Sequence, residues 1–430
     1  MTVTLKKLLH KATSSIVFRN FSWYFVEKIV FLITTFLSTF VIARYFGPEK
    51  FGLFNYVLSI VSVFFALSTF GIDNYLVKLI KGESSRSGIN AIHSSISRIR
   101  LYLSIFVVTL FLLYFLFERD QVSFLCLLFS LKSIFTSLNS IEQEALVREK
   151  ISSIVKIKCS IYTLGLILKI IVAVLNVDII YLILVIVFES SLICLCYFVF
   201  LGKLSIQIST NDLKTMRRIF IEGLPLCLSS ALMVLYMRID QIMIAQMMSK
   251  TDLGFYSAAV RLSEGWYFFL YIIAQSYLPV LIDKKRSGIV EYSLSIRKII
   301  TTQLGFAIFT VGVLYVLSPL IVSFAFGDAY LDSISVMRLH LFSGLCVAIG
   351  TVTGKLLVIE NLQRFSLFHA TTGVALNCSL NFVLIPIYGI NGAALATICS
   401  QLWASTISYF VFAQTRQIFT KYIFGIKVKV

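Results

Sequence analysis

Charge is scarce in this sequence. Asp, Glu, Lys and Arg make up 14% of its 430 residues and apolar residues 58%, with 38 Phe. Soluble domains carry about 25% charged and roughly 45–50% apolar residues. A chain this poor in charge cannot cover a surface facing water, so a soluble domain is excluded and an integral membrane protein is expected. Proline is scarce too, with five in all. Pro48 lies in an expected turn, and Pro225, Pro279, Pro319 and Pro386 lie near the ends of apolar runs. No run therefore signals a mid-membrane break in its hydrogen-bond ladder, and the discontinuous helices that cradle ions in some transporters are not expected. The motifs of soluble catalysis are missing: no Walker A, no G-x-G-x-x-G after a strand, no H-E-x-x-H and no G-x-S-x-G. An enzyme is not expected, nor any cofactor or metal, and transport energy must come from an ion gradient, a substrate gradient or a partner. The eight cysteines show no disulfide or metal spacing and read as small packing residues.

What is present is long apolar runs. A membrane helix needs ~20 mostly apolar residues. Twelve stretches qualify: 20–42, 53–76, 101–117, 122–146, 154–176, 178–200, 221–247, 254–282, 299–320, 333–360, 365–387 and 391–413. They are continuously apolar rather than alternating, which excludes a β-barrel. The fold class is thus an all-α polytopic membrane protein.

Basic residues explain the net charge of +17. In a soluble protein that excess would suggest nucleic acid. Here 27 of the 38 Lys and Arg fall in one alternating set of connections and the two termini, and only Arg44, Lys50, Arg119 and Lys250 fall in the other set. The positive-inside rule puts both termini in the cytoplasm, so no nucleic-acid partner is needed. Residues 5–16 place Leu5, Leu8, Leu9, Ala12 and Ile16 on one helical face. They read either as a short helix on the inner leaflet or as a solvated basic tail, not as a cleaved signal peptide.

The segments ARYFGPEKFGLF (43–54) and AQMMSKTDLGFY (245–256) align without gaps at an offset of 202 residues, pairing Gly52 with Gly254. With the polar connection 201–220 this suggests two parallel six-helix halves. The expected organisation is a cytoplasmic amphipathic N-terminus (1–19), an N-terminal bundle (20–200), a cytoplasmic linker (201–220), a C-terminal bundle (221–413) and a basic cytoplasmic tail (414–430). The mid-span glycines Gly165, Gly265, Gly305, Gly344, Gly350 and Gly354 read as points of local bending or, more commonly, as sites of close helix packing.

Nine charges lie deep in the spans: Glu27, Lys28, Lys132, Lys169, Glu189, Arg238, Asp240, Arg261 and Glu264. Each costs about 2.5–3.5 kcal/mol on insertion scales if left facing lipid, so they are expected to face protein or water. Arg261 and Glu264 share a helix face and are placed to neutralise each other; Arg238 and Asp240 point in different directions. These charges read as cavity-lining groups or as structural ion pairs. Arg338, His340, Lys355 and Glu360 lie nearer the interfaces and read as snorkelling residues, and His369 as a hydrogen-bonded packing residue. A cavity holding Arg238, Arg261, Lys28 and Lys132 suits a phosphorylated headgroup, since guanidinium binds phosphate bidentately. Asp240, Glu264, Glu27 and Glu189 are the candidate ion-coupling or cavity acids.

Three segments carry a family resemblance. FGPEKFGLFNYVLSIVSVFFALSTFGIDNYLVK (46–78), RIDQIMIAQMMSKTDLGFYSAAVRLSE (238–264) and LNFVLIPIYGINGAALATICSQL (380–402) resemble bacterial polysaccharide-repeat-unit flippases of the O-antigen type. That resemblance implies the multidrug/oligosaccharidyl-lipid/polysaccharide exporter superfamily, with twelve helices in two pseudo-symmetric six-helix bundles around a central cavity. It implies transport of undecaprenyl-diphosphate-linked oligosaccharide between leaflets of the bacterial cytoplasmic membrane. Arg238 and Asp240 match its basic–x–Asp motif in the seventh span, and Arg261 its basic position in the eighth. The implied partners are the undecaprenyl-diphosphate-linked glycan, membrane lipid, a polysaccharide polymerase and a chain-length regulator.

A multidrug exporter of the same fold is the nearest alternative, and the three segments favour the polysaccharide branch over it. A major-facilitator carrier would show a D-R-x-G-R-like run where this chain reads KLIKGESSRSGIN. A membrane glycan polymerase or ligase would need a long outer loop for its catalytic residues, and every outer connection here is short.

Overall fold

The computed structural model describes residues 16–147, 151–204 and 212–423. The expected amphipathic segment 5–16 lies almost wholly outside these residues, as do parts of the linker and the tail. The regular elements are helices α1 (Ile16–Thr69), α2 (Asp73–Gly82), α3 (Arg86–Glu118), α4 (Gln121–Ser130), α5 (Lys132–Phe135), α6 (Ser140–Val147), α7 (Ile151–Val174) and α8 (Ile179–Leu204). They continue with α9 (Leu213–Met247), α10 (Lys250–Glu264), α11 (Tyr267–Ser287), α12 (Ile289–Phe326), α13 (Ser333–His340), α14 (Ser343–Ile359), α15 (Arg364–Tyr388), α16 (Ile390–Ser405) and α17 (Ala413–Gln417). Among the described residues there is no strand. This is what a lipid solvent requires, because a helix satisfies its own backbone polar groups.

Among the described residues ten helical segments are long and apolar enough to cross a membrane, or eleven if Ile390–Phe410 and Ala413–Ile423, bent by 98°, form one broken span. Twelve spans were expected. The first segment, Phe25–Thr69, covers two of the expected runs in one helical stretch. It breaks at Gly47, where φ 73° and ψ 175° demand a residue without a side chain, and Pro48 follows at once.

Helix starts follow their sequence signals. Ser85 caps α3 by accepting from the Gly88 N–H at 3.1 Å. Ser249 and Asp252 form a reciprocal capping box at α10. Asp120 caps α4 through the Ser123 N–H at 2.8 Å. Burial raises the Asp120 carboxyl, but hydrogen bonds from the Ser123 hydroxyl and backbone outweigh it and leave the group below its ordinary value.

One expectation about proline needs correction. Proline does not mark the helix ends: α9 runs through Pro225 and α11 through Pro279, because both helices extend past their apolar runs. The expected spans 122–146, 254–282 and 333–360 each lie on one helical stretch, Gln121–Ala145, Lys250–Ser287 and Ser333–Ile359. Short irregular turns interrupt them, yet the backbone stays right-handed helical at Leu131, Thr136, Gly265, Trp266, Leu341 and Phe342.

The chain divides into two compact units, Met1–Phe46 with Ile60–Ala231, and Gly47–Ser59 with Leu232–Val430. Among the described residues, one apolar core of the first unit gathers Ile141, Ile151, Ile154, Tyr197 and Phe200, and another Phe70, Ile72, Leu76, Ile92, Ile96 and Ile219. An apolar core of the second unit gathers Leu281, Tyr292, Ile296, Ile299, Val352, Leu356, Tyr409 and Phe419.

Within the second unit the two segments of the internal echo touch. A methyl on Gly52 would lie 1.7 Å from the Lys250 carbonyl oxygen, and one on Gly254 would lie 2.0 Å from the Pro48 carbonyl oxygen. Pro48 and Lys250 are also partners at the 202-residue offset, so the contact is reciprocal. The packing role expected of mid-span glycines holds at Gly165 against Glu189, Gly344 against Trp266 and Gly350 against Ser405. Gly305 and Gly354 have no atom within 4 Å of such a methyl.

Candidate functional site

The first unit holds five of the expected deep charges, in two groups. In one, the Lys169 ammonium lies 2.8 Å from both oxygens of Glu189, joining α7 to α8. A carboxylate matched this closely is a structural partner more than a free coupling acid. Lys132 lies over the rings of Phe65 at 5.0 Å and Phe129 at 5.8 Å. Among the described residues it has no carboxylate oxygen within 4.0 Å.

The second group was only partly visible in the sequence. Lys158 bridges Glu27 at 2.5 Å and Glu142 at 3.0 Å, and the Tyr197 hydroxyl donates to Glu142 at 2.6 Å. The side chains of Lys158 and Glu27 are 7% and 2% exposed, so the quartet is shut off from solvent. One Glu27 oxygen is buried without a hydrogen-bond partner. Lys28 is 4.0 Å from Glu27 and half exposed. Lys158 belongs to the 27 cations that the sequence assigns to connections and termini, since it lies close to the start of an apolar run. The signal available was the pair of acids Glu142 and Glu144 inside the expected span 122–146, which call for buried cations. Arg100, another of the 27, is 1% exposed and pairs with Asp73 at 2.7 Å.

The second unit holds Arg238, Asp240, Arg261 and Glu264, from the end of α9 and from α10. Asp240 is buried; it accepts from the Tyr256 hydroxyl and, at 2.7 Å, from the Gln241 N–H. Gln241 in turn accepts from Arg238 at 3.3 Å and from Ser59 at 2.8 Å. A single glutamine thus ties the Arg238 guanidinium to the Asp240 carboxylate. The expected Arg261–Glu264 pair does not reach salt-bridge distance. Helix α10 ends at Glu264, and Arg261 lies in its last turn, where the helix dipole favours a cation. Among the described residues neither Arg238 nor Arg261 has a carboxylate oxygen within 4.0 Å. Glu264 lies within electrostatic reach of both.

Next to this group lies a polar network that the sequence reading did not single out. Asn377 donates to Ser400 at 3.1 Å, Asn381 donates to Asn377 at 2.9 Å, and Tyr236 meets Ser400 at 3.2 Å. The spacing of Asn377 and Asn381, one helical turn apart in an apolar run, was the available signal. His340, read as a snorkelling residue, is 1% exposed and bonds to Ser263 at 2.8 Å. His369 is a packing residue, but it stacks on Tyr409 at 4.2 Å and its ring nitrogens have no hydrogen-bond partner.

Residues 17–285 match the family described as polysaccharide biosynthesis protein. The chain belongs to that family. It is 26% identical over 405 residues to the capsular polysaccharide biosynthesis protein CapF of Staphylococcus aureus, covering 92% of this chain and 98% of CapF. The fold resembles that of the lipid II flippase MurJ in an inward closed conformation, with a TM-score of 0.73 at 16% identity over 92% of this chain and 87% of that one. It also resembles an inward-facing MATE multidrug resistance transporter of the MOP superfamily, with a TM-score of 0.71 at 10% identity over 88% of this chain and 93% of that one. Family and fold bear out the resemblance read from the three segments, and the chain is a multi-pass membrane protein of polysaccharide biosynthesis.

Proposed function

We propose that this protein is a flippase that carries undecaprenyl-diphosphate-linked oligosaccharide repeat units, of O-antigen or a related surface polysaccharide, across the bacterial cytoplasmic membrane. The observation that carries this reading is the difference between the two sets of deep cations. Lys158 and Lys169 are matched at close range by carboxylates. Arg238 and Arg261 keep two guanidiniums without a carboxylate at salt-bridge distance, suited to a diphosphate that would complete their coordination. Lys132 and Lys28 are the supporting cations. CapF, to which the chain is 26% identical, is named for capsular polysaccharide biosynthesis, and MurJ, which it resembles in fold, is a lipid II flippase.

Transport proceeds by alternating access of two six-helix halves joined through 201–220, with both termini cytoplasmic and without a catalytic step. The sugars occupy the water-filled cavity and the lipid tail stays in the bilayer. Asp240 and Glu264 are the acids best placed for ion coupling, because both lie with the unpaired guanidiniums, and binding a dianion there changes the charge they face. A polymerase and a chain-length regulator are the partners expected to receive the product. The MATE likeness is one of fold at 10% identity, and the family membership favours the glycan substrate. Deleting the gene tests the reading: lipid-linked repeat units accumulate on the cytoplasmic side if it is right. Normal surface polysaccharide in the deleted strain, with no second copy of such a gene, would overturn it.

A further inference from the structure

A groove of about 410 Å³ runs between α11 and α14. Its walls are Leu278 and Ile282 from one helix and Val358 and Ile359 from the other, with Lys285 and Arg286 at one end. One turn before the apolar walls begin, the Lys355 ammonium donates to Gln275 at 2.6 Å and joins the two helices. From Leu278 to Arg286 is about 12 Å of helix rise, less than half of a ~30 Å hydrocarbon core. The groove therefore fits within one leaflet. Its walls are open to the lipid side, with Ile282 40% and Val358 51% exposed.

The charges at its mouth decide what fits. Helix α11 ends in Lys284, Lys285 and Arg286. Lys284 is matched by Glu291 at 2.6 Å. Lys285 is matched by Glu360 at 3.1 Å and also donates to the Ile359 carbonyl at 2.8 Å. Arg286 is exposed and makes no hydrogen bond or ion pair among the described residues; Asp283, three residues earlier, is not within 4.0 Å. The groove thus offers an apolar trough ending in one unmatched guanidinium on the basic side of the membrane. We propose that it binds an anionic phospholipid, with the phosphate on Arg286 and the upper acyl chain against Ile282, Val358 and Ile359. One unmatched cation suits one phosphate of a membrane lipid, whereas a diphosphate carrier calls for more. Basic pockets between helices at the cytoplasmic face commonly take such headgroups.

Native mass spectrometry of the full-length purified protein, titrated in turn with phosphatidylglycerol, phosphatidylcholine and polyprenyl diphosphate, tests this site. The protein is expected to retain phosphatidylglycerol in preference to phosphatidylcholine. R286E, which changes an exposed side chain, is expected to weaken phosphatidylglycerol binding by about tenfold, and V358W, which fills the trough, to weaken it similarly. Polyprenyl diphosphate binding is expected to be unchanged by either variant. Equal retention of the two phospholipids, wild-type phosphatidylglycerol binding by R286E, or selective loss of polyprenyl diphosphate binding in that variant would overturn the proposal. None of these outcomes bears on the flippase reading, which rests on other residues.

Discussion

Lys169 and Glu189 illustrate what a residue-level reading of a membrane sequence can and cannot see. A charge inside an apolar run is conspicuous without any alignment, so Glu27, Lys28, Arg238, Asp240, Arg261 and Glu264 could all be found by inspection. Which of them pair depends on helix rotation and depth, and spacing along one helix does not encode contacts with another. Lys158 was missed for a related reason: near a basic loop, a buried lysine looks like a snorkelling one. The distinction has a measurable consequence. Removing one member of a buried pair leaves an uncompensated charge and costs about 3–5 kcal/mol, whereas replacing both with apolar residues is often neutral or stabilising. K169M is therefore expected to lower thermal stability in detergent markedly, and the double variant K169M/E189L to recover most of it with transport retained. Loss of transport in a well-folded double variant would instead make Glu189 a working acid.

At the scale of elements, apolar runs placed the helices well, while proline was misjudged. The runs report lipid burial, and each run lies mostly on helix in the structure. Pro225 and Pro279 sit inside helices that extend beyond their apolar runs, which apolar counting does not register. Gly47, beside Pro48, makes the turn expected between the first two runs, with helix on both sides. The internal echo carried more information than its length suggested, since Gly52 and Gly254 meet carbonyl groups of the opposite repeat. Backbone atoms cannot turn aside as a flexible side chain can. G52A and G254A are each expected to destabilise by at least the roughly 1–3 kcal/mol typical of overpacking, read as a lower melting temperature in detergent. G305A, at a glycine with open space beside it, serves as the control and is expected to melt within a degree or two of wild type or higher, since alanine favours helix by about 1 kcal/mol. Equal melting of all three would remove the argument for a tight reciprocal contact.

For the whole molecule, the charge excess divides into cations of different kinds. Most of the +17 lies in the connections that set orientation, and a smaller set lies among the helices. Of the latter, some are matched by acids, and Arg238 and Arg261 are not. The fold class and family were legible because composition, run length and three motif segments all point the same way. The substrate was not, since no residue pattern in the sequence encodes a particular sugar. The account therefore stands on the two guanidiniums, and its most direct test is the location of lipid-linked repeat units in a deleted strain carrying R238Q/R261Q. The predicted result is a double variant present in the membrane at wild-type level with repeat units held on the cytoplasmic side. Wild-type amounts of surface polysaccharide from that variant would contradict the central claim.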